Sequence, residues 1–241
     1  MRTQKGNHDS NHRHSNASGS SRAQLLPHPR RHQPASLFTY PGIYAHQDGS
    51  SATAPIADQR ARLLNVIAQC NHKLDPLGIH LSVLVWRPCG ALVYACRPHS
   101  LATYLADPRA KTALAKEGYD TDNLPICLAH LASRIALAST NAAECACDQT
   151  RCALDHQARC NNSCTCEFPH EIGYFLGYPY DDLHQFIVHH GENYKVFGAW
   201  KVYTNVEQAL TTFESYRACT QYLTHVYQQG YSLAQLAQAA R

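Results

Sequence analysis

Residues 168–203 read FPHEIGYFLGYPYDDLHQFIVHHGENYKVFGAWKVY, and this stretch decides the fold. Pro169 suits a first helical turn, and Glu171 just inside it complements the helix dipole. Ile172, Phe175 and Leu176 form an apolar stripe at helical spacing. Gly177 is a left-handed terminator, and Pro179 forbids continuation. Asp182, with Gln185 three residues on, predicts a capping box for a second helix. Leu183, Phe186, Ile187 and His190 share one side of it, and Gly191 ends it. NYKVFGAWKVY (193–203) then reads as a strand. The order is helix, sharp stop, helix, strand.

Downstream, Thr204 and Glu207 make another capping box. Val206, Leu210, Phe213, Tyr216, Thr220, Leu223 and Tyr227 predict a long amphipathic helix up to Gly230, and Ser232 opens a short last one. Upstream, IHLSVLVW (79–86) and ALVYAC (91–96) flank the turn residues RPCG (87–90), which predicts a hairpin. A helix precedes it, with Ile56, Arg60, Leu63, Leu64, Ile67 and Leu74 on one face and Pro76 and Gly78 at its end. Short helices are expected over 99–106 and 108–117. A longer one is expected over 122–138, with Leu124, Cys127, Leu128, Leu131 and Ile135 in register. Residues 37–56 are rich in Gly, Ser, Pro and Tyr and read as loop. The expected class is therefore α+β: a small, mainly antiparallel sheet of three or four strands, built from the early hairpin plus the late strand, with several helices packed on it.

The chain has 241 residues and a net charge of +3. That charge is unevenly placed. Residues 1–36 carry six Lys or Arg against one acid, and the remainder is slightly acidic. The first 36 residues are basic, rich in His (His8, His12, His14) and poor in apolar residues, so they are expected to be a disordered tail. A slightly acidic remainder argues against a nucleic-acid surface. No apolar run reaches 18 residues, so no membrane span is expected. No apolar segment suited to secretion stands near the start, so a cytoplasmic location is expected. A single domain over 37–138 and 168–241 would then be interrupted by 139–167.

That interruption is rich in cysteine. Of eleven cysteines, Cys70, Cys89, Cys96, Cys127 and Cys219 are scattered, and Cys127 and Cys219 fall on apolar helical faces as core residues. Cys145, Cys147, Cys152, Cys160, Cys164 and Cys166 crowd together in the pattern C-x-C-x4-C-x7-C-x3-C-x-C, with His156 inside. Thiolates are favoured ligands of zinc and of iron–sulfur clusters, and a polar loop gains order by binding metal. The spacing is neither the paired C-x2-C of a zinc ribbon nor a ferredoxin run. Three readings stand: a zinc or iron–sulfur site, disulfides in one of 15 pairings, or a loop whose cysteines are incidental. A reducing cytosol disfavours the disulfides.

Three further sets could carry chemistry. His170 and Glu171 at a helix start suit acid–base work or one metal ion, or else a dipole-facing Glu and a His at a loop corner. HEIGY lacks the second His of H-E-x-x-H, so no metalloprotease is implied. In the aromatic and basic set Tyr174, Tyr178, Tyr194, Trp200, Lys201 and Tyr203, strand alternation sets Lys201 and Tyr203 on the face opposite Trp200 and Val202. That face could hold an anionic ligand or cofactor, or simply meet solvent. Arg97-Pro98-His99 at a strand end is a cofactor-binding candidate or a turn. No phosphate loop, G-x-G-x-x-G, nucleophile elbow or kinase signature is present.

PHEIGYFLGYP (169–179), DDLHQFI (181–187) and GAWKVY (198–203), with PASLF (34–38) and LVYACRPHSL (92–101), resemble a bacterial family, the domain of unknown function 3793. The resemblance covers about residues 34–138 and 168–236. Two departures stand out: PHPRRHQ (27–33) replaces the Cys and Pro-Thr-Leu run of the family pattern, and the cysteine-rich 139–167 interrupts its core. The resemblance implies an intracellular bacterial protein and carries no catalytic role to any residue. Three functional readings follow. One is an accessory protein handling metal or a redox or metal-handling protein partner. Another is a small enzyme built on His170, Glu171 and Lys201. The last is an interaction module presenting the GYP corner and the aromatic set.

Overall fold

A computed structural model describes residues 33–46, 48, 50–143 and 169–239. Its centre is the expected hairpin, β2 (His80–Arg87) and β3 (Gly90–Cys96), joined by a tight turn. The third strand, β1 (Ala35–Tyr40), was expected as tail and loop. It pairs antiparallel with β3 from Ala35↔Cys96 to Tyr40↔Ala91, so the sheet order is β1-β3-β2. Pro34 then fixes the entry, its carbonyl accepting from the Arg97 amide at 2.8 Å.

The central strand is apolar on both faces because both faces are covered. Leu92, Tyr94 and Cys96 enter one core cluster and Ala91 and Val93 the other. A bulge between Val83 and Val85 keeps β2 in step: Leu81 and Val83 face the second cluster, while Leu84 and Val85 face the first. Helix α1 (Ala54–Leu74) covers the second face through Leu63 and Ile67, with Tyr44 beside them. Ile56 and Leu74 are buried as the periodicity implied, but Leu64 is half exposed. A 3-10 turn (Asp75–Leu77) and Gly78, at φ 73°, end that helix.

The first face is covered by α2 (Pro98–Leu105), α3 (Pro108–Lys116), α4 (Leu124–Ala143), α5 (Ile172–Phe175) and α6 (Tyr180–Val188). Leu101, Leu105, Leu114, Cys127, Leu131, Ile135 and Phe175 are almost wholly enclosed there. Residues 139–143 continue α4 instead of opening the cysteine-rich segment. The cysteines of that segment, Cys145 to Cys166, lie outside the described residues.

The late strand takes a different form. Residues 193–203 fold into a separate hairpin of two-residue strands, β4 (Val196–Phe197) and β5 (Lys201–Val202), because Gly198-Ala199 turns the chain back. Lys195 N donates to Val202 O at 2.8 Å and Gly198 N to Trp200 O at 3.1 Å. This hairpin packs Trp200 and Val202 against Ala209, Val206, Phe213 and Tyr216 of α7 (Val206–Gln228). Leu210, Thr220 and Tyr227, expected on the inner stripe of α7, face outward. Helix α8 (Leu233–Ala239) opens on a reciprocal Ser232–Gln235 cap. Among the described residues no helix is long and apolar enough to cross a membrane.

Candidate functional site

The signature segment is held by two buried carboxylates. Glu171, 6% exposed, sits just before the single turn of α5. Its Oε1 accepts from the Tyr119 hydroxyl at 3.0 Å and pairs with Arg134 Nε on α4 at 2.7 Å. Arg134 also reaches Glu117 Oε2 at 2.8 Å. Burial, and then the Glu171 carboxylate, hold the Tyr119 hydroxyl well above the ordinary tyrosine value. It therefore stays a donor at any physiological pH. Glu171 thus ties the start of α5 to α4, which are the two flanks of the cysteine-rich segment.

Asp182, 3% exposed, does more than cap a helix. It lies inside the first turn of α6, whose N-cap is Pro179. Its Oδ2 accepts from Trp200 Nε1 at 2.8 Å. Its Oδ1 accepts from the amides of Tyr203 and Thr204, each at 2.9 Å, and from the Thr204 hydroxyl at 2.8 Å. One carboxylate therefore satisfies four donors and binds the β4–β5 hairpin to α6. Thr204 is drawn into this set, so Asn205 caps α7 instead, accepting from Gln208 N at 3.1 Å. The signal in sequence was the pair Asp181-Asp182 beside a distant tryptophan, since a buried indole N–H needs an acceptor.

The glycines of the segment mark close approach. A Cβ at Gly173 would meet Leu183 Cδ1 at 2.7 Å, and one at Gly198 would collide with the Phe213 ring. Gly177 has φ 73°, as its terminator role requires, and a Cβ there would strike Pro34. The carbonyls around this corner are taken by tyrosines from elsewhere. Tyr94 donates to Phe175 O at 2.6 Å, and Tyr104 donates to Tyr178 O.

The remaining candidates are placed as follows. The His170 ring meets the edge of Phe186 with centroids 5.3 Å apart. Lys201 Nζ donates to Gly191 O at 2.9 Å and lies 5.0 Å from the Tyr194 centroid and 5.7 Å from that of Phe186. His170 and Lys201 thus share Phe186, while Glu171 is engaged by Tyr119 and Arg134. Tyr203 is buried and stacks on His189 at 5.8 Å. Arg97 opens α2 before Pro98, at the turn the sequence implied. Of the aromatic set, Tyr194 is exposed, Tyr178 is half-buried, and Tyr174, Trp200 and Tyr203 are buried. Cys127 is fully buried as expected, its thiol 2.8 Å from Asp120 O, and Cys219 is half-buried. Among the described residues no group of three His, Cys, Asp or Glu is placed to hold a metal ion.

The family described as protein of unknown function DUF3793 matches residues 27–237. Comparison with curated proteins gave no match, and neither did comparison with solved structures.

Proposed function

For a chain that belongs to the domain of unknown function 3793 family, we propose a role as a metal- or redox-linked accessory protein. The α+β body serves as a scaffold for the cysteine-rich segment. One observation carries this reading. That segment runs in sequence between α4 and α5, and the half-buried Arg134 of α4 pairs with the buried Glu171 at the start of α5 at 2.7 Å. Six thiols (Cys145, Cys147, Cys152, Cys160, Cys164 and Cys166) stand in the stretch of sequence that joins these two helices. A tie between the flanking helices lowers the entropy lost when such a stretch gathers around an ion. Thiolates in this number suit zinc or an iron–sulfur cluster, or reversible thiol chemistry with a protein partner. The alternative of an enzyme built on His170, Glu171 and Lys201 is weakened, because the Glu171 carboxylate is already engaged by the Tyr119 hydroxyl and the Arg134 guanidinium.

The test is elemental analysis and thiol titration of full-length chain purified without oxygen. Stoichiometric zinc or iron, or thiols that cycle reversibly, supports the proposal. Absence of both refutes it.

A further inference from the structure

The two edges of the three-stranded sheet are finished differently. On β2 the Asn71 side chain of α1 takes both backbone groups of Leu81, Nδ2 donating to the carbonyl and Oδ1 accepting from the amide, each at 2.9 Å. The bulge between Val83 and Val85 breaks the line of that edge, and α1 and α4 both pack on β2. Such devices stop an edge from pairing further. Strand β1, the other edge, has none of them. ASLFTY carries no charge, no proline and no bulge, and its register with β3 is unbroken from Ala35 to Tyr40. Its outer side meets no strand among the described residues. Ala35 and Leu37 turn to the first core cluster, so alternation sets Ser36, Phe38 and Tyr40 on the α1 face. Helix α1 lies over β2 there, and Phe38 and Tyr40 stay 45% and 42% exposed.

We propose that β1 is the seam of a homodimer, paired antiparallel with β1 of a second copy. With β2 closed, two copies extend their sheets only β1 to β1, and a two-fold axis makes that contact self-complementary. An axis perpendicular to the sheet keeps the α1 faces of both copies on one side, where residues directly opposite share a face. The register that sets Ser36, Phe38 and Tyr40 all opposite strand residues centres on Phe38. Phe38 then faces its own counterpart, and Ser36 faces the counterpart of Tyr40. No charge meets its like across the axis, and the rings cover one another. Each ring residue offers about 90 Å² of its roughly 200 Å², so the four bring about 350 Å² besides the main-chain contact. That is an interface of the smaller class, and dissociation in the micromolar range is expected. Assembly stops at two copies, because β2 offers no second edge for growth. The seam does not involve the cysteine-rich segment, so either proposal can fail alone.

The test is sedimentation of the full chain over a range of concentrations, with all thiols kept reduced. A reversible dimer is expected, weakened at least tenfold in Phe38→Lys, which sets two like charges face to face on the axis. Two double variants test the register even if Phe38→Lys folds poorly. Ser36→Lys with Tyr40→Glu places unlike charges opposite each other, and Ser36→Glu with Tyr40→Glu places like ones. The first pair should dimerise at least tenfold more tightly than the second. A chain that stays monomeric to hundred-micromolar concentration overturns the proposal. So does a dimer that Phe38→Lys leaves as tight, or one that does not tell the two double variants apart.

Discussion

Replacing Asp182 by alanine should be the most damaging single change in the signature segment. The carboxylate accepts from Trp200 Nε1, the Tyr203 amide, the Thr204 amide and the Thr204 hydroxyl, at 2.8–2.9 Å. Thr204 is exposed, so water can take over its donors. Trp200 and Tyr203 are 8% and 7% exposed, and their N–H groups would be stranded. A buried unsatisfied donor costs about 1–3 kcal/mol, so two cost about 2–6 kcal/mol, offset in part by no longer burying a charge. A net loss of about 3 kcal/mol follows. Against a total stability of about 5–15 kcal/mol this is a large fraction. With an m-value of about 2 kcal/mol/M, the urea midpoint should fall by about 1.5 M. Asp182→Asn should cost about half as much: its carbonyl oxygen still serves the Tyr203 and Thr204 donors, but its NH2 group meets the indole N–H. The assay is urea unfolding followed by tryptophan fluorescence. A shift below about 0.5 M for Asp182→Ala, at unchanged m-value, would refute the anchoring role.

Glu171→Gln removes the charge that pairs with Arg134 but keeps an acceptor for Tyr119, so a loss of about 1–3 kcal/mol is expected in the same assay; an unchanged midpoint would sink the clamp. Gly198→Ala drives a Cβ into the Phe213 ring and should destabilise by about 1–3 kcal/mol, with Phe213→Leu in the same chain restoring part of it; equal losses in single and double variants would show that the contact is unimportant. Burial pushes the Cys96 and Cys127 thiols up to about 11 from 9.0. Because the folded value is raised, their contribution to stability is complete below about 9 and is lost as pH rises through about 11. At pH 8 ionisation alone should slow their alkylation by iodoacetamide roughly hundredfold relative to a thiol at 9.0, and peptide mapping that finds both labelled together with exposed Cys89 would contradict the packing.

The parts of the fold written in local pattern were legible. The β2–β3 hairpin rests on a turn between two apolar runs, and the Gly177 stop on one residue's conformation. Helix α1 and the α4 stripe of Cys127, Leu131 and Ile135 rest on periodicity. What escaped were features set by distant partners. Strand β1 is only six residues, ASLFTY, beside a Pro- and Gly-rich run, and its pairing with β3 lies more than 50 residues away. Asp182 reads as a cap because caps are local, whereas its real partners stand 18–22 residues downstream. The 193–203 stretch reads as one strand on composition, but Gly198 against Phe213 turns it into a hairpin. Glu171 and Lys201 were visible as chemically capable residues. Their partners, Tyr119, Arg134 and the Gly191 carbonyl, depend on tertiary placement that no spacing encodes.

Metal content tests the role of the cysteine-rich segment most directly. Full-length chain and a variant lacking residues 144–167, ending α4 where the structure ends it, would be purified without oxygen and compared by elemental analysis and absorbance. Stoichiometric zinc or iron, or reversibly oxidised thiols, is expected in the full chain, all lost in a variant that stays folded. Two chains equally free of metal, with inert thiols in both, would contradict it.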